Sequence, residues 1–366
     1  METRPIVAIC YDFDKTLSPN DMQAQGFLQT VGFEEAAEFW KQSNEVAYEN
    51  EMDQNSAWMF KMVKEARGKE LFTRQRLQEY GAGVSLFPGV DTWFSRIDEY
   101  AAEHGVVTEH YIISSGLREM IEGTEIYKRG VFKKVYASSF LFDDDGVAVW
   151  PAQVVNYTNK TQFLFRIEKG VLDVNDQRVN DKFPPEKVRV PFRNMIYIGD
   201  SDTDIPCMKL VNSYGGHSIG VFDPVKGDRT KVYGMMKDER IRYFAPADYG
   251  EGSELETLVR RIIDKTYAAE ILERIYYEKV AEADAAYAGD GRGKDERERD
   301  LLIDKLGSSM NFMYTREVVA EMAAYPAGDW TEAQKAKLLR IAQENDQVAL
   351  IMDEDNIKSF FDNLEG

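Results

Sequence analysis

The chain has 366 residues, of which 43% are hydrophobic, 30% charged and 12% aromatic, and this composition excludes a disordered, collagen-like or disulfide-stapled protein. Its 45 Lys and Arg residues against 64 Asp and Glu give a formal charge of −19, which argues against nucleic acid or an anionic membrane as a partner. The negative charge is still compatible with a small anionic substrate, because one bound cation and a few hydrogen-bond donors can reverse the electric field inside a single cleft.

The sequence also bears on the compartment. The N-terminal apolar run is short, and no stretch approaches the ~20 apolar residues of a membrane-spanning helix. Neither Cys10 nor Cys207 has a Cys or His at metal-finger spacing. We therefore expect a cytoplasmic protein in a reducing environment.

Three apolar runs predict strands that are buried on both faces, as in the middle of a parallel sheet. They are Ile6–Tyr11, Tyr111–Ile113 and Met195–Ile198. Each run stops at small or acidic residues, and ligands bind at the carboxyl edge of open α/β sheets. The sequence thus points three strand ends at one site.

Between the first two strands, residues 18–86 show helical spacing without strand-like alternation, as in Phe39 with Trp40 and Trp58 with Met62. This stretch is predicted to be a helical insertion. Its aromatic residues are expected to be mainly core, although some could line a substrate pocket; they are Phe27, Phe39, Trp40, Tyr48, Trp58 and Phe60.

After the insertion, Pro88-Gly89 interrupts the chain and Val90–His104 is predicted to be a helix. Between the second and third strands, Val135–Tyr157 is rich in β-forming residues on both sides of a turn at Asp143–Gly146. That pattern predicts a β-hairpin.

Beyond about residue 250 the pattern becomes helical. A long amphipathic helix is predicted to begin near Gly252, a charged, Gly-containing linker at 289–299, and two or three further helices after it. The apolar stripes of these helices must be covered, either within the chain or in a homodimer built through the C-terminal helices.

Two acidic segments follow buried strands. Asp12–Thr16 reads D-F-D-K-T, and Gly199–Asp204 reads G-D-S-D-T-D. Two carboxylates at a strand end suit a nucleophile with an acid/base partner, although the first segment alone is more typical of a polar strand-to-loop cap. A second acidic edge adds the oxygen ligands that Mg²⁺ prefers.

With Ser114 closing a strand and a lysine opening a helix, these motifs resemble the haloacid dehalogenase-like hydrolases, in particular the phosphoserine-phosphatase-like branch. The resemblance covers roughly residues 5–250. It implies an α/β fold with a Rossmann-like three-layer core and a mainly parallel sheet. The core would comprise 1–17 and 87–250, a helical cap 18–86, and a helical extension 251–366.

The resemblance also implies residue roles. Asp12 would be the nucleophile that forms an aspartyl-phosphate, and Asp14 the acid/base. The residues implied in phosphate and substrate binding are Thr16, Ser114, Ser115, Gly116 and Lys160. The implied Mg²⁺ ligands are Asp12, the Asp14 carbonyl and Asp200, with Asp204 as a direct or outer-shell partner.

Some assignments stay open in the sequence. Lys160 stands at a predicted helix start, yet far from Asp200, so Lys182 is the next candidate for the phosphate-binding lysine and Lys133 or Lys134 follow. Asp202 fits a solvated loop better than a metal ligand, and His217 fits a structural role in a Gly-rich turn.

A second register would make Asp14 the nucleophile, as in the P-type ion pumps, with Thr16 in the acid/base position. We reject it for three reasons. The apolar strand ends at Asp12, Leu17-Ser18 replaces the Gly-Thr of those pumps, and spanning helices are missing from the sequence.

The predicted function is that of an Mg²⁺-dependent phosphatase that hydrolyses a small phosphorylated metabolite, with phosphoserine the first substrate suggested by the resemblance. The cap glutamate and arginine that would hold phosphoserine are not identifiable in the sequence. The alternatives are a nucleotidase or phosphotransferase of the same superfamily, and a catalytically weak scaffold with a binding tail.

Overall fold

The computed structural model describes residues 4–184, 187–288 and 292–365. Within them the chain forms a seven-stranded sheet in the order β4-β3-β2-β1-β5-β6-β7. Only the β3–β4 pair is antiparallel in this described sheet. The strands are β1 (Ile6–Tyr11), β2 (Val107–Leu117), β3 (Phe132–Phe142), β4 (Ala148–Gln153), β5 (Met195–Gly199), β6 (His217–Phe222) and β7 (Tyr243–Pro246).

Strand β1 lies in the middle of the sheet, where both of its faces are covered. Val7, Ile9 and Tyr11 belong to one hydrophobic cluster, and Ala8 and Cys10 belong to another. Successive side chains of a strand point to opposite faces, so the sheet has a core on each side. This confirms the predicted three-layer α/β fold.

The neighbours of β1 explain where the site forms. Strand β1 pairs in parallel with β2 on one side and with β5 on the other. The ends of these three strands therefore meet at one edge, as the sequence predicted, and bring residues 12, 114 and 200 together.

The insertion after β1 is helical, as predicted. Its helices are α1 (Phe27–Thr30), α2 (Ala36–Glu49), α3 (Gln54–Ala66) and α4 (Arg74–Ala82), preceded by a 3₁₀ turn at Met22–Ala24. The amide of Phe87 donates to the carbonyl of Leu17 at 2.9 Å, so the chain leaves and re-enters the core at adjacent points. We call this segment, residues 18–86, the cap.

The cap is joined to the core through a close helix contact. Helix α4 packs on α6 (Arg118–Gly123), where a Cβ on Gly81 would lie 1.9 Å from the carbonyl oxygen of Met120 and one on Gly123 2.0 Å from that of Gln78. Only glycine permits backbones to approach this closely.

Further helices cover the two faces of the sheet and surround its connections. They are α5 (Val90–Glu103), α7 (Glu125–Lys128), α8 (Thr161–Lys169), α9 (Ile205–Ser213) and α10 (Thr230–Lys237). Helix α5 and the β3–β4 hairpin confirm the sequence prediction. The hairpin turn includes Gly146 at φ 76°, a conformation that glycine adopts without strain.

The chain divides into two compact units, Met1–Glu273 and Arg274–Gly366. A single helix, α11 (Glu254–Ala288), runs through the division and confirms the long helix predicted from Gly252. The later helices are α12 (Lys294–Gly307), α13 (Phe312–Met322), α14 (Glu332–Glu344), α15 (Asp346–Leu350) and α16 (Asp355–Glu365). Their apolar faces form a cluster that includes Leu306, Met322 and Leu338.

Two predictions about the chain after α11 were wrong. Of the predicted linker at 289–299, residues 289–291 lie outside the described residues, and the part from Lys294 onward belongs to α12. The many charges misled the prediction, although Asp295 and Glu296 suit the first turn of a helix. The described residues also contain more helices after α11 than the two or three expected.

The Gly-rich turn predicted next to His217 is present, with Gly215 at φ 84°, but His217 itself belongs to the strand that follows the turn. His217 begins β6, where it is 2% exposed. The two preceding glycines end the α9–β6 connection rather than extend it.

Among the described residues, no helix combines the length and apolarity needed to cross a membrane.

Candidate active site

The segment after β1 is a tight turn. The amide of Asp12 still donates to the carbonyl of Ile198 at 2.9 Å, and the amides of Leu17 and Ser18 both donate to the carbonyl of Phe13. Lys15 adopts φ 58°, a left-handed conformation that costs a non-glycine residue roughly 1 kcal/mol. The turn fixes the directions of the two acidic side chains beside it.

Asp12 is 5% exposed. Burial and the nearby Asp204 raise the pKa of Asp12 to about 6, against the opposing charge of Lys160. The Nζ of Lys160 lies 3.4 Å from Asp12 Oδ1, yet this oxygen has no hydrogen-bond partner among the described residues. A buried carboxylate oxygen without a donor is costly unless a ligand completes it.

Asp14 is held from the cap side. The amide of Met22, in the 3₁₀ turn, donates to Asp14 Oδ1 at 2.8 Å. Burial raises the pKa of Asp14 well above its usual range, and the charges of Asp21 and Asp12 add to the effect. A raised pKa favours the protonated carboxyl, which is the form that can give a proton to a leaving oxygen.

Asp204 is fully buried and surrounded by donors. Its Oδ1 accepts from Lys160 Nζ at 2.7 Å and from the Tyr197 hydroxyl at 2.8 Å. Its Oδ2 accepts from the amide and hydroxyl of Ser201 at 3.0 and 2.8 Å. Four donors occupy most of the acceptor capacity of this carboxylate.

Lys160 closes a 3₁₀ turn, Tyr157–Lys160, just before α8, and it is 0% exposed. Burial acts to lower its pKa, but Asp12 and Asp204 outweigh burial and raise the pKa above its usual value. Lys160 is therefore a permanent cation within reach of both carboxylates.

Asp200 follows β5 directly. Burial, reinforced by Asp204 and Asp12, raises the pKa of Asp200 to about 7. One carboxylate oxygen from each of Asp12, Asp200 and Asp204 lies within 4.8 Å of the others. An all-oxygen cluster of three neighbouring carboxylates fits a hard divalent cation such as Mg²⁺, whose charge would relieve their repulsion.

These residues open onto a cleft of about 390 Å³ between the sheet edge and the cap. The core wall includes Asp12, Asp14, Asp200 and the Ser114–Gly116 segment. The cap wall includes the side chains of Gln23, Trp40, Ser43, Asn44, Asn55 and Trp58. We call these the core wall and the cap wall.

The family model of the haloacid dehalogenase-like hydrolases matches residues 9–209. This chain belongs to that family. The matched region contains both acidic segments, Lys160 and the cap.

Individual relatives are distant. The chain is 27% identical over 283 residues to an uncharacterized protein of Borreliella burgdorferi, a match that covers 69% of this chain and 95% of the relative. A HAD family hydrolase of Salmonella enterica serovar Typhi superposes with a TM-score of 0.46 at 17% identity, over 71% of this chain and 72% of that one. A substrate-bound phosphoserine phosphatase superposes with a TM-score of 0.40 at 15% identity, over 66% of this chain and 100% of that one.

The fold gathers the residues that the sequence assigned to the hydrolase site. Those on the cleft surface are Asp12, Asp14, Ser114, Ser115, Gly116 and Asp200. Thr16, Lys160 and Asp204 are each 0% exposed. The carbonyl of Thr16 accepts a hydrogen bond from the Tyr249 hydroxyl at 2.8 Å, which ties the turn after β1 to the chain just before α11.

The Ser114–Gly116 segment lies against Asp14. The amide of Gly116 donates to Ser114 Oγ at 3.0 Å. A Cβ at Gly116 would lie 2.4 Å from Met22 Cε and 3.0 Å from Asp14 Oδ2. Glycine here lets the strand end, the cap turn and the Asp14 carboxyl approach one another.

The alternative residues lie elsewhere. Lys182 is exposed, and Lys133 pairs with Glu109 at 3.5 Å. Asp202 is exposed, as the solvated-loop interpretation predicted. The Nε2 of His217 lies 3.2 Å from Lys265 Nζ, and burial together with that charge lowers the pKa of His217 to about 4.

Sequence reasoning missed several residues of the cleft. Gln23 and the exposed Lys231 line it, and Tyr197 supports Asp204 from β5. Tyr197 carried a signal, since its polar hydroxyl interrupts an otherwise apolar run. Nothing in the sequence around Gln23 or Lys231 distinguishes them from surface residues.

The aromatic residues of the cap separate into three groups. Trp40 and Trp58 line the cleft, whereas Phe27 and Phe39 are fully buried in the core. The last two, Tyr48 and Phe60, are exposed, at 90% and 48%. The pocket is therefore lined by two of the six candidates.

Proposed function

We propose that the protein is an Mg²⁺-dependent phosphomonoester hydrolase that works through an aspartyl-phosphate on Asp12. The observation that carries the proposal is Asp12 Oδ1, a buried carboxylate oxygen with no hydrogen-bond partner among the described residues and with the Lys160 ammonium 3.4 Å away. Such an oxygen is free to attack phosphorus beside a fixed positive charge.

The reaction would divide between two carboxyl groups. Asp12 Oδ1 attacks phosphorus, the ester P–O bond breaks, and Asp14 gives its proton to the leaving oxygen. Asp14 then accepts a proton from water as the water oxygen attacks phosphorus, and the bond between Asp12 and phosphorus breaks to release phosphate. The rigid turn at 12–18 aligns both carboxyls, and alignment is the main requirement of phosphoryl transfer.

Lys160 and Asp204 would act as a unit in this reaction. Asp204, with its four donors, holds the Lys160 ammonium in place. Lys160 in turn stands close enough to Asp12 to contact a phosphoryl group bound there. Ser114, Ser115 and Gly116 would contact the remaining phosphoryl oxygens from the end of β2.

Mg²⁺ would be held by the carboxylates of Asp12 and Asp200 and by the carbonyl of Asp14. Asp204 fits an outer-shell position, because its oxygens already accept four hydrogen bonds. When bound, the ion supplies positive charge that neutralises the transferring phosphoryl group and the carboxylate cluster.

The test is release of phosphate from p-nitrophenyl phosphate with Mg²⁺ and with excess chelator. We expect turnover only with Mg²⁺, and inhibition by Ca²⁺, whose larger and looser shell misplaces Asp12. Calorimetric titration with Mg²⁺ gives a second readout, and Asp200→Asn should weaken binding about tenfold or more. Full activity in chelator would refute the metal, and no release under any condition would refute the function.

The homodimer through the C-terminal helices stays a prediction. The helices α12–α16 bury apolar side chains against one another, while Met310 and Leu350 are 88% and 72% exposed. Light scattering of the intact chain at high concentration separates a dimer from a monomer.

A further inference from the structure

The cap wall of the cleft is almost free of charge. Among the described cap residues that line the cleft, none is Lys or Arg, and Asp21 is the single carboxylate. Asp21 already pairs with Lys15, Oδ1 to Nζ at 2.8 Å. The remaining cap residues there are amides, a serine and two tryptophans. The cap therefore offers no cation to a leaving group that carries a carboxylate.

This composition disfavours an amino-acid leaving group. A carboxylate brought against the cap wall would lose its hydration without gaining a charged partner, and an unpaired buried charge is costly. Of the two lysines that line the cleft, Lys15 is paired with Asp21 and Lys231 lies on α10 of the core. Phosphoserine, the first substrate suggested by the resemblance, therefore fits this cap wall poorly.

Two polar groups of the cap wall lack partners among the described residues. Gln23 is 2% exposed and its Oε1, an acceptor, has no hydrogen bond. Trp40 Nε1, a donor, is also buried and unpaired. A buried donor or acceptor without a partner lowers stability unless a ligand satisfies it. A ligand that both donates and accepts hydrogen bonds would satisfy the two groups together.

The neighbouring groups do not share this property. Trp58 Nε1 donates to Asn55 Oδ1 at 3.0 Å, and Asn55 Nδ2 donates to the carbonyl of Val155 at 2.7 Å. Ser43 donates to the carbonyl of Phe39 at 2.8 Å. Among the buried polar atoms of the described cap-wall side chains, the missing partners are therefore confined to Gln23 and Trp40.

The two tryptophans also offer apolar surface. Their rings lie 6.3 Å apart between centroids at an interplanar angle of 83°. A sugar ring or short polyol presents C–H faces that pack on an indole and hydroxyl groups that both donate and accept. A hydroxyl can donate to Gln23 Oε1, and another can accept from Trp40 Nε1.

Resting on the proposed function, we propose that the leaving group of the substrate is an uncharged sugar or polyol, recognised by Gln23 and Trp40. Gln23 follows Met22, whose amide holds Asp14, so Gln23 acts beside the leaving oxygen. Trp40 acts from α2, which also lines the cleft.

The first experiment compares kcat/KM among p-nitrophenyl phosphate, ribose 5-phosphate, glucose 6-phosphate, glycerol 1-phosphate, phosphoserine and phosphorylcholine. We expect the best sugar or polyol phosphate to exceed phosphoserine and phosphorylcholine by about tenfold or more. If p-nitrophenyl phosphate is hydrolysed but kcat/KM for phosphoserine or phosphorylcholine equals or exceeds that for the sugar phosphates, the assignment of an uncharged leaving group is overturned. The proposed phosphatase activity would then still stand. If none of the six is hydrolysed, the proposed function fails first.

The second experiment measures Gln23→Met, which removes the unpaired acceptor at little change in volume, and Trp40→Phe, which removes the unpaired donor together with part of the indole ring. For each variant, the ratio of kcat/KM for the best sugar phosphate to that for p-nitrophenyl phosphate should fall about tenfold. Gln75→Met, a matched change on an exposed residue of α4 outside the cleft, should leave the ratio unchanged. Because a ratio cancels losses of folded protein, an unchanged ratio in both cleft variants would overturn the assignment.

Discussion

The Lys160–Asp204 pair behind the core wall and the Gln23 and Trp40 side chains of the cap wall differ in how their polar groups are satisfied. On the core side, Asp204 and Lys160 are fully buried and hold one another with the help of Tyr197 and Ser201. On the cap side, Gln23 and Trp40 leave an acceptor and a donor unpaired. The Lys160–Asp204 pair is satisfied without a ligand, whereas, under our proposal, Gln23 and Trp40 gain their partners from the substrate.

The difference matches two tasks. Groups that stabilise developing charge work best when they are already fixed, because they then need no reorganisation during the reaction. Groups that select a leaving group gain specificity from being left unpaired by the wrong one. We therefore expect core-wall substitutions to reduce turnover of every phosphomonoester and cap-wall substitutions to change the preference among them.

The largest expected effect is at the core wall. Asp12→Asn removes the nucleophile at almost constant volume and should lower kcat for p-nitrophenyl phosphate by at least about a thousandfold. Circular dichroism should show an unchanged fold. The matched control is Asp202→Asn, at an exposed position of the same acidic chemistry, which should stay within about twofold of the parent. If Asp12→Asn turned over substrate at the parent rate, Asp12 could not be the nucleophile.

The next effect concerns the buried ammonium. Lys160→Met should lower kcat by about a hundredfold, as for loss of one charged donor to a transition state, and should lower stability because Asp204 loses a partner. Lys182→Met, at an exposed lysine, is the matched control and should change kcat by less than about twofold. A larger loss of kcat in Lys182→Met than in Lys160→Met would assign the phosphate contact to the loop around residue 182 instead.

A smaller effect is expected where the cap joins the core. Gly81→Ala would place its Cβ 1.9 Å from the Met120 carbonyl oxygen, so α4 must move away from α6, and we expect a loss of about 2 kcal/mol in the free energy of unfolding. Gly83→Ala, whose Cβ would meet the Tyr80 carbonyl oxygen at 3.5 Å, serves as the control. Urea unfolding followed by tryptophan fluorescence measures both. Equal stability of the two variants would show that this contact is adaptable.

The last effect is a pH dependence at the same contact. Glu119 of α6 is 0% exposed, and burial, opposed in part by Arg74, raises its pKa from 4.5 to about 7. Its folded form holds a proton that the unfolded form releases, so this group's contribution to stability is complete below pH 4.5 and is lost as pH rises through 7.

Glu119→Gln should therefore remove a decline in the free energy of unfolding between pH 4.5 and 7 that is at most about 3 kcal/mol. Glu125→Gln, at a side chain that is 69% exposed, should leave the decline in place. A parent-like decline in Glu119→Gln would show that other groups cause it.

Much of the core wall could be predicted from the sequence, because it depends on short-range patterns. An apolar run that ends at an acidic residue predicts both a buried strand and the side chain at its end, and this located Asp12 and Asp200 correctly at the sheet edge. The hairpin at Asp143–Gly146 and the long helix from Glu254 follow from equally local signals. Lys160 could be chosen over Lys182 only through the family resemblance, since 44 residues separate it from Asp204.

The tertiary structure decided the rest. The unpaired state of Gln23 and Trp40 depends on which atoms surround them, and no spacing in the sequence encodes that. The same holds for Tyr197, whose hydroxyl completes Asp204, and for Gly81, which is needed because α6 happens to pass there. Local periodicity determines what an element is and which face it buries, but hydrogen-bond partners between distant segments exist only once the chain has packed.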